Sequence, residues 1–146
     1  MSLKKFKYLL AFIVVISIFL VGCSNVIENE EEYIKVQKRI GDENKYEDFK
    51  EITDNGQVQK AKDILNNIDW EKSKVNMTHP ADYRFIFQYK NPKIEAKAVS
   101  YELWISPNKD KVELVIDADM KYIQLDTGKS AELFEIITGE KLSELK

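Results

Sequence analysis

The groups in this chain that could do chemistry are few: one thiol, one imidazole and scattered carboxylates. Cys23 is the only cysteine, so no disulfide can close within the chain. Its fold must rest on an apolar core, which a domain of roughly 100 residues can supply without covalent staples. His79 is the only histidine, and any His-based metal site or Ser-His-Asp triad would have to be built around it alone. It sits in Met77-Thr78-His79-Pro80, where Pro80 biases it toward an extended loop, and no partner residues are marked out by spacing. Asp117-x-Asp119 offers two carboxylates to a hard cation. Ca²⁺ wants about six to eight oxygens, so a solvated hairpin turn is the better reading. Thr127-Gly128-Lys129-Ser130 carries the closing residues of the phosphate-loop pattern G-x-x-x-x-G-K-[ST], but the first glycine falls on Ile123. Without it the backbone cannot wrap its amides around a phosphate, and an ordinary helix start is expected. Neither a metal nor a cofactor is expected.

The elements that would position these groups read as an α+β domain. Tyr33–Ile40 alternates as a strand, Gly41-Asp42-Glu43-Asn44 breaks it, and Tyr46–Thr53 offers a second. Asp54 or Asn55 caps a helix over about Gly56–Asn67, whose Val58, Ala61, Ile64, Leu65 and Ile68 recur at spacings of three and four. Tyr83, Phe85, Phe87 and Tyr89 alternate, as do Val99, Tyr101, Leu103 and Ile105. Val112, Leu114 and Ile116 follow, then Met120–Leu125. The links between these strands are short, and parallel pairing would need a crossover of about a dozen residues, so an antiparallel meander is expected. A last helix runs from about Gly128 to Thr138, capped by Asp126 or Thr127 and stopped at Gly139. The expected fold is therefore an antiparallel β-meander with two helices packed on one face, in a single domain over 33–146.

Alternation also locates a possible binding surface. If Phe85, Phe87, Leu103, Ile105, Val112, Leu114 and Ile116 face the helices, period two sends Ile86, Trp104 and Val115 to the opposite face. Two outcomes stay open there. Trp104 is either exposed at the centre of an interaction patch, or covered by the segment Tyr33–Thr53 as part of a second core layer.

The N-terminus is more specific. Lys4, Lys5 and Lys7 precede an uncharged run from Tyr8 to Gly22, which is shorter than the ~20 apolar residues that span a bilayer and suits a secretory signal over 1–22. Leu20-Val21-Gly22-Cys23 resembles the lipobox of bacterial lipoproteins. The resemblance implies a diacylglycerol on the thiol of Cys23, cleavage before it, and a domain lipid-anchored to the outer face of the cell membrane. Residues 23–32, with Glu28, Glu30, Glu31 and Glu32, then read as an acidic tether. The whole chain carries a formal charge of −3, and removing the signal takes away three lysines and no acid. An acidic mature protein argues against nucleic acid as a partner, since phosphate binding needs clustered positive charge.

Asp82-Tyr83, Tyr101-Glu102-Leu103-Trp104-Ile105-Ser106, Tyr122-Ile123-Gln124-Leu125 and Ala131-Glu132-Leu133-Phe134-Glu135-Ile136-Ile137-Thr138-Gly139 together resemble the C-terminal domain of small lipoproteins of bacilli of the YhfM type. This covers about the last half of the chain. It implies a low-GC Gram-positive lipoprotein, and it carries over no functional residues because that family has no established activity. Asn76-Met77-Thr78 matches a glycosylation acceptor, which in a bacterial lipoprotein signals nothing. The leading functional expectation is a non-enzymatic, membrane-tethered module that binds an envelope protein, peptide or cell-wall component. The alternative is a small envelope enzyme using Glu102, Asp117 and Asp119. A ligand-capturing uptake receptor fits less well, because such proteins use two lobes and this chain supplies one domain.

Overall fold

The computed structural model describes residues 30–95 and 97–146. The signal segment, the lipobox and Cys23 lie outside the described residues. The elements run in chain order as β1 (Glu32–Arg39), β2 (Tyr46–Ile52), α1 (Asn55–Asn66), β3 (Glu71–Lys72), β4 (Tyr83–Tyr89), β5 (Ser100–Ile105), β6 (Val112–Ile116), β7 (Lys121–Gln124) and α2 (Thr127–Thr138). The strands form one seven-stranded sheet in the order β2-β1-β4-β5-β6-β7-β3, antiparallel at every pairing. The fold class is α+β. The expected meander is β4 to β7, and β1 docks on its outer edge against β4.

Alternation in the strands produces the core. Ile34, Val36, Tyr83, Phe85, Leu103, Val112 and Leu114 form one buried cluster with Val58, Ala61, Ile64 and Leu65 of α1 and Leu133, Phe134, Ile136 and Ile137 of α2. Burying each large apolar side chain stabilises by roughly 1.5–3 kcal/mol. The aromatic rings interlock within it: Phe85 stacks on Tyr101 at 5.0 Å, and Tyr83 meets Phe134 edge-on at 6.0 Å.

Both helices start as the sequence suggests. The Asp54 carboxylate accepts from the Gln57 N–H and the Asp126 carboxylate from the Lys129 N–H, so aspartate is the cap in each case. Gly139 closes α2 at φ +78°, a conformation that costs a residue with a Cβ. Ser130, expected only as part of a helix start, is fully buried. Its hydroxyl donates to the Leu125 carbonyl and accepts from the Val112 N–H at 3.0 Å, joining α2 to β6.

Several boundaries differ from expectation. β3 has no periodic signal because it is two exposed residues long, and it forms only because α1 delivers Glu71 and Lys72 to the free edge of β7. β5 begins at Ser100 rather than Val99, and Met120 precedes β7 in the left-handed region at φ +50°. Folded structure also begins earlier than the expected domain start at residue 33. Glu32 is in β1, its carboxylate pairs with Lys62 of α1, and Glu31 pairs with Lys90 at 2.9 Å. The acids at the end of the expected tether are thus part of the domain.

Candidate functional site

Trp104 and Val115 fall outside the main buried cluster that holds Leu103 and Leu114, and the face that they share with Ile86 is not an open aromatic patch. Trp104 is 5% exposed and Val115 7%, and they form a small second cluster with Ala81, against which Tyr46, Val75, Met77 and Tyr122 pack. The indole N–H donates to the His79 carbonyl at 2.8 Å, and the Tyr46 hydroxyl donates to the Ala81 carbonyl at 2.8 Å. Of the two outcomes left open for Trp104, the structure shows the second core layer and not the exposed patch. The cover of Trp104 differs from expectation, because it is the strap between β3 and β4, residues 73–82, with only Tyr46 coming from the N-terminal segment. Period two assigns a side chain to a face, whereas the packing of a strap from elsewhere in the chain decides whether that face is wet. Ile86, on the same face, remains half-buried.

Charged pairs occupy the rest of this face. The Arg84 guanidinium stacks 3.9 Å from the Tyr46 ring centroid, bonds the Asn44 side-chain oxygen at 3.0 Å and pairs with Glu102 at 2.8 Å. Burial pushes the Tyr46 phenol up, and the neighbouring Arg84 charge opposes that shift. Arg39 pairs with Asp82 at 3.0 Å, while the other Asp82 oxygen accepts from the Ile105 N–H at 2.8 Å. Lys35 pairs with Asp48, and Tyr33 donates to Gln88 at 2.5 Å. Arg39 and Arg84 are the only arginines in a lysine-rich chain, and that scarcity is the one sequence signal that could have picked them out. A planar guanidinium can stack and fork where an ammonium cannot.

The nominated reactive residues separate into two groups. His79 is exposed in the strap, and its Nδ1 lies 2.8 Å from the Pro80 carbonyl. Lys129 is spent on Asp126 at 3.2 Å, and Ser130 on the core bonds described above. Glu102, Asp117 and Asp119, by contrast, do line one cleft of about 400 Å³, together with Arg84 and Lys97. Among the described residues no three His, Cys, Asp or Glu side chains stand close enough to hold a metal ion. No described helix is long and apolar enough to cross a membrane.

A second feature lies where β4 and β5 part. Their ladder ends at Ile86 opposite Ser100, so among the described residues Phe87, Gln88 and Tyr89 have no strand partner on that side, although all three still pair with β1. The Lys90 N–H donates to the Glu31 carbonyl, toward β1. Backbone groups alternate sides along a strand, so the amides and carbonyls of Phe87 and Tyr89 point into the gap. Clefts flank the gap on both sheet faces. One of about 200 Å³ lies toward α1, lined by Leu65, Phe87, Tyr89, Val99 and Tyr101, with Lys62 and Lys97 at its rim. Another of about 370 Å³ is lined by Tyr33, Phe87, Gln88 and Asn91 among others, and a third of about 170 Å³ holds Ile86 with Arg84, Gln88 and Ser100. Phe87 borders the first two of these clefts. Burial raises the Tyr101 phenol at the inner end of the gap, with the Asp119 carboxylate adding to the shift.

No curated protein and no solved structure matches the chain. The family model described as YhfM protein matches residues 27–143, which extends the likeness from the last half of the chain to β1, β2 and α1 as well. The chain belongs to the YhfM protein family.

Proposed function

We propose that this protein is a non-enzymatic binding module, lipid-anchored through Cys23 to the outer face of the cell membrane and directed at an envelope protein, peptide or cell-wall component. In this reading both helices lie on the face of Ile34, Phe85, Leu103 and Leu114, and the Ile86 side is turned to the partner. The observation that carries it is the convergence of clefts from both sheet faces on the C-terminal half of β4, beside Ile86. Concave sites with a few polar groups are where partners are held. Most polar groups on that face are already committed to one another, which suits holding a partner more than activating one. Lipidation of Cys23 would keep the site close to the membrane, because a doubly acylated anchor stays bound.

The test is photo-crosslinking in cells from a reactive amino acid placed at Ile86 of the full chain, with exposed Gln57 on α1 as the comparison position. The expected result is a discrete crosslinked species from position 86 that is absent from position 57. Indistinguishable patterns at the two positions would reject the site.

One observation favours the enzymatic alternative: Glu102, Asp117 and Asp119 line a common cleft. Paired carboxylates can act as general acid and base. Glu102 is, however, already tied to Arg84 at 2.8 Å. Hydrolysis of purified cell-wall glycan by the full chain, lost in Asp117→Asn, would support this alternative over binding alone.

A further inference from the structure

We infer that the gap beside Phe87–Tyr89 is a receptor for an extended peptide, which adds as a short strand between β4 and the segment Lys97–Val99. The inference rests on the reading as a binding module and names the class of partner. A strand interior to a sheet normally has partners on both sides, and a row of unpaired N–H and C=O groups is a template for another chain. Here the row is internal: β4 is paired with β1 along its whole length and with β5 only as far as Ile86. The sheet therefore offers two residues, Phe87 and Tyr89, whose backbone groups lie on the β5 side beyond the last β4–β5 pair.

The side-chain environment matches the alternation of an incoming strand. Successive residues of a strand point to opposite faces, and the gap has a cleft on each. The α1 side offers apolar and aromatic surface in Leu65, Phe87 and Tyr101, bordered by Glu32, Lys62, Asn66 and Lys97. The other side is mixed, with Gln88 and Asn91 beside Tyr33, Pro92 and Ile94. A peptide placing an apolar side chain against Leu65 and Phe87, and one that can hydrogen-bond Gln88 or Asn91 on the other face, fits both. Lys97 borders both the α1-side cleft and the cleft of Glu102, and makes no ion pair among those described, so an acidic residue at the peptide's end would meet an uncommitted cation. The outer edge at β2 is a poorer template. A register shift interrupts its pairing with β1 between Val36 and Gln37, and its residues Glu47, Asp48, Lys50 and Glu51 are charged.

The test uses the full chain, purified from membranes in detergent, and a capped peptide of alternating threonine and valine ending in glutamate. The same peptide N-methylated at the amides that would face β4 is the control. Titration should give saturable shifts in the amide resonances of Phe87, Tyr89 and Val99, and slowed hydrogen exchange at Phe87 and Tyr89. N-methylation should weaken binding at least 10-fold. Continuing the β4–β5 register places Tyr89 opposite Lys97, so in a Tyr89→Cys, Lys97→Cys pair the reduced form, having lost the Lys97 cation, should bind more weakly than the natural chain but still give the shifts, and the oxidised form should close the gap and abolish them. Absence of shifts up to the peptide's solubility limit overturns the inference. So do shifts confined to β2, equal binding of the methylated peptide, or binding unaffected by the closed gap. Specific crosslinking from Ile86 alongside any of these results would leave the binding module standing and remove only the strand addition.

Discussion

Replacing Trp104 by Ala probes the second core layer directly. The side chain is 5% exposed, packs with Ala81 and Val115, and is flanked by Tyr46, Val75, Met77 and Tyr122. Truncating a buried tryptophan to alanine costs roughly 3–5 kcal/mol through lost transfer energy and the cavity left behind. The lost hydrogen bond to the His79 carbonyl adds little, because His79 is exposed and water can replace the indole. The strap can also collapse partly into the space, so the lower half of the range applies, about 3–4 kcal/mol. For a domain of this size each 1 kcal/mol moves the melting temperature by about 4 °C, so a fall of roughly 12–16 °C is expected. Trp70, whose indole N–H donates to the Leu65 carbonyl at the end of α1, remains as the fluorescence reporter. Trp104→Phe should recover more than half of the loss. A decrease below about 1 kcal/mol for Trp104→Ala in urea unfolding would refute the account, because it would mean that the strap does not bury this side chain in solution.

Ser130→Ala should destabilise by about 1–3 kcal/mol, because the Val112 N–H it serves at 3.0 Å is buried and would lose its partner; an unchanged urea midpoint would contradict this. Burial pushes the phenols of Tyr83 and Tyr122 up to about 12, with a hydrogen bond to Glu113 assisting in Tyr122. Because the folded values exceed the unfolded one near 10, this stabilisation is complete below about pH 10 and is lost as pH rises through about 12. The phenolates of Tyr83 and Tyr122 should therefore appear last in an alkaline absorbance titration of the folded protein, and a simple titration centred near 10 for every tyrosine would be inconsistent with that burial. Cys23→Ser should abolish incorporation of labelled lipid and leave the full-length precursor; normal processing and membrane retention of this variant would remove the lipoprotein reading. EDTA should leave the melting temperature unchanged, whereas a drop of several degrees would reveal a structural ion.

The signals carried locally were legible in the sequence. Aspartate caps, a glycine that tolerates positive φ, and stripes at spacings of three and four placed α1 and α2 within a residue or two. Period-two alternation likewise identified β4, β5 and β6 and sorted Phe85 and Leu103 from Ile86 and Trp104. These features depend on interactions within a few residues, so a local pattern is enough to determine them. The resemblance around Tyr101–Ser106 and Ala131–Gly139 pointed to the family that residues 27–143 match.

Tertiary structure decided what long-range contacts alone can decide. The strap 73–82 alternates half-buried Val75 and Met77 with exposed Lys74, Asn76 and Thr78, but its lying over Trp104 depends on Ala81, Tyr46 and the His79 carbonyl coming together from separate parts of the chain. β3 exists because β7 has a free edge for it. Glu102, Asp117 and Asp119 were nominated from composition, but their shared cleft is made by the turn after β6 meeting the start of β5. The gap beside Phe87 and Tyr89 could not be read from alternating residues that predicted complete strands on both sides of it. Residue type governs which face a side chain takes, whereas strand partnership is settled only when the other strand arrives or, as at Val99, turns away.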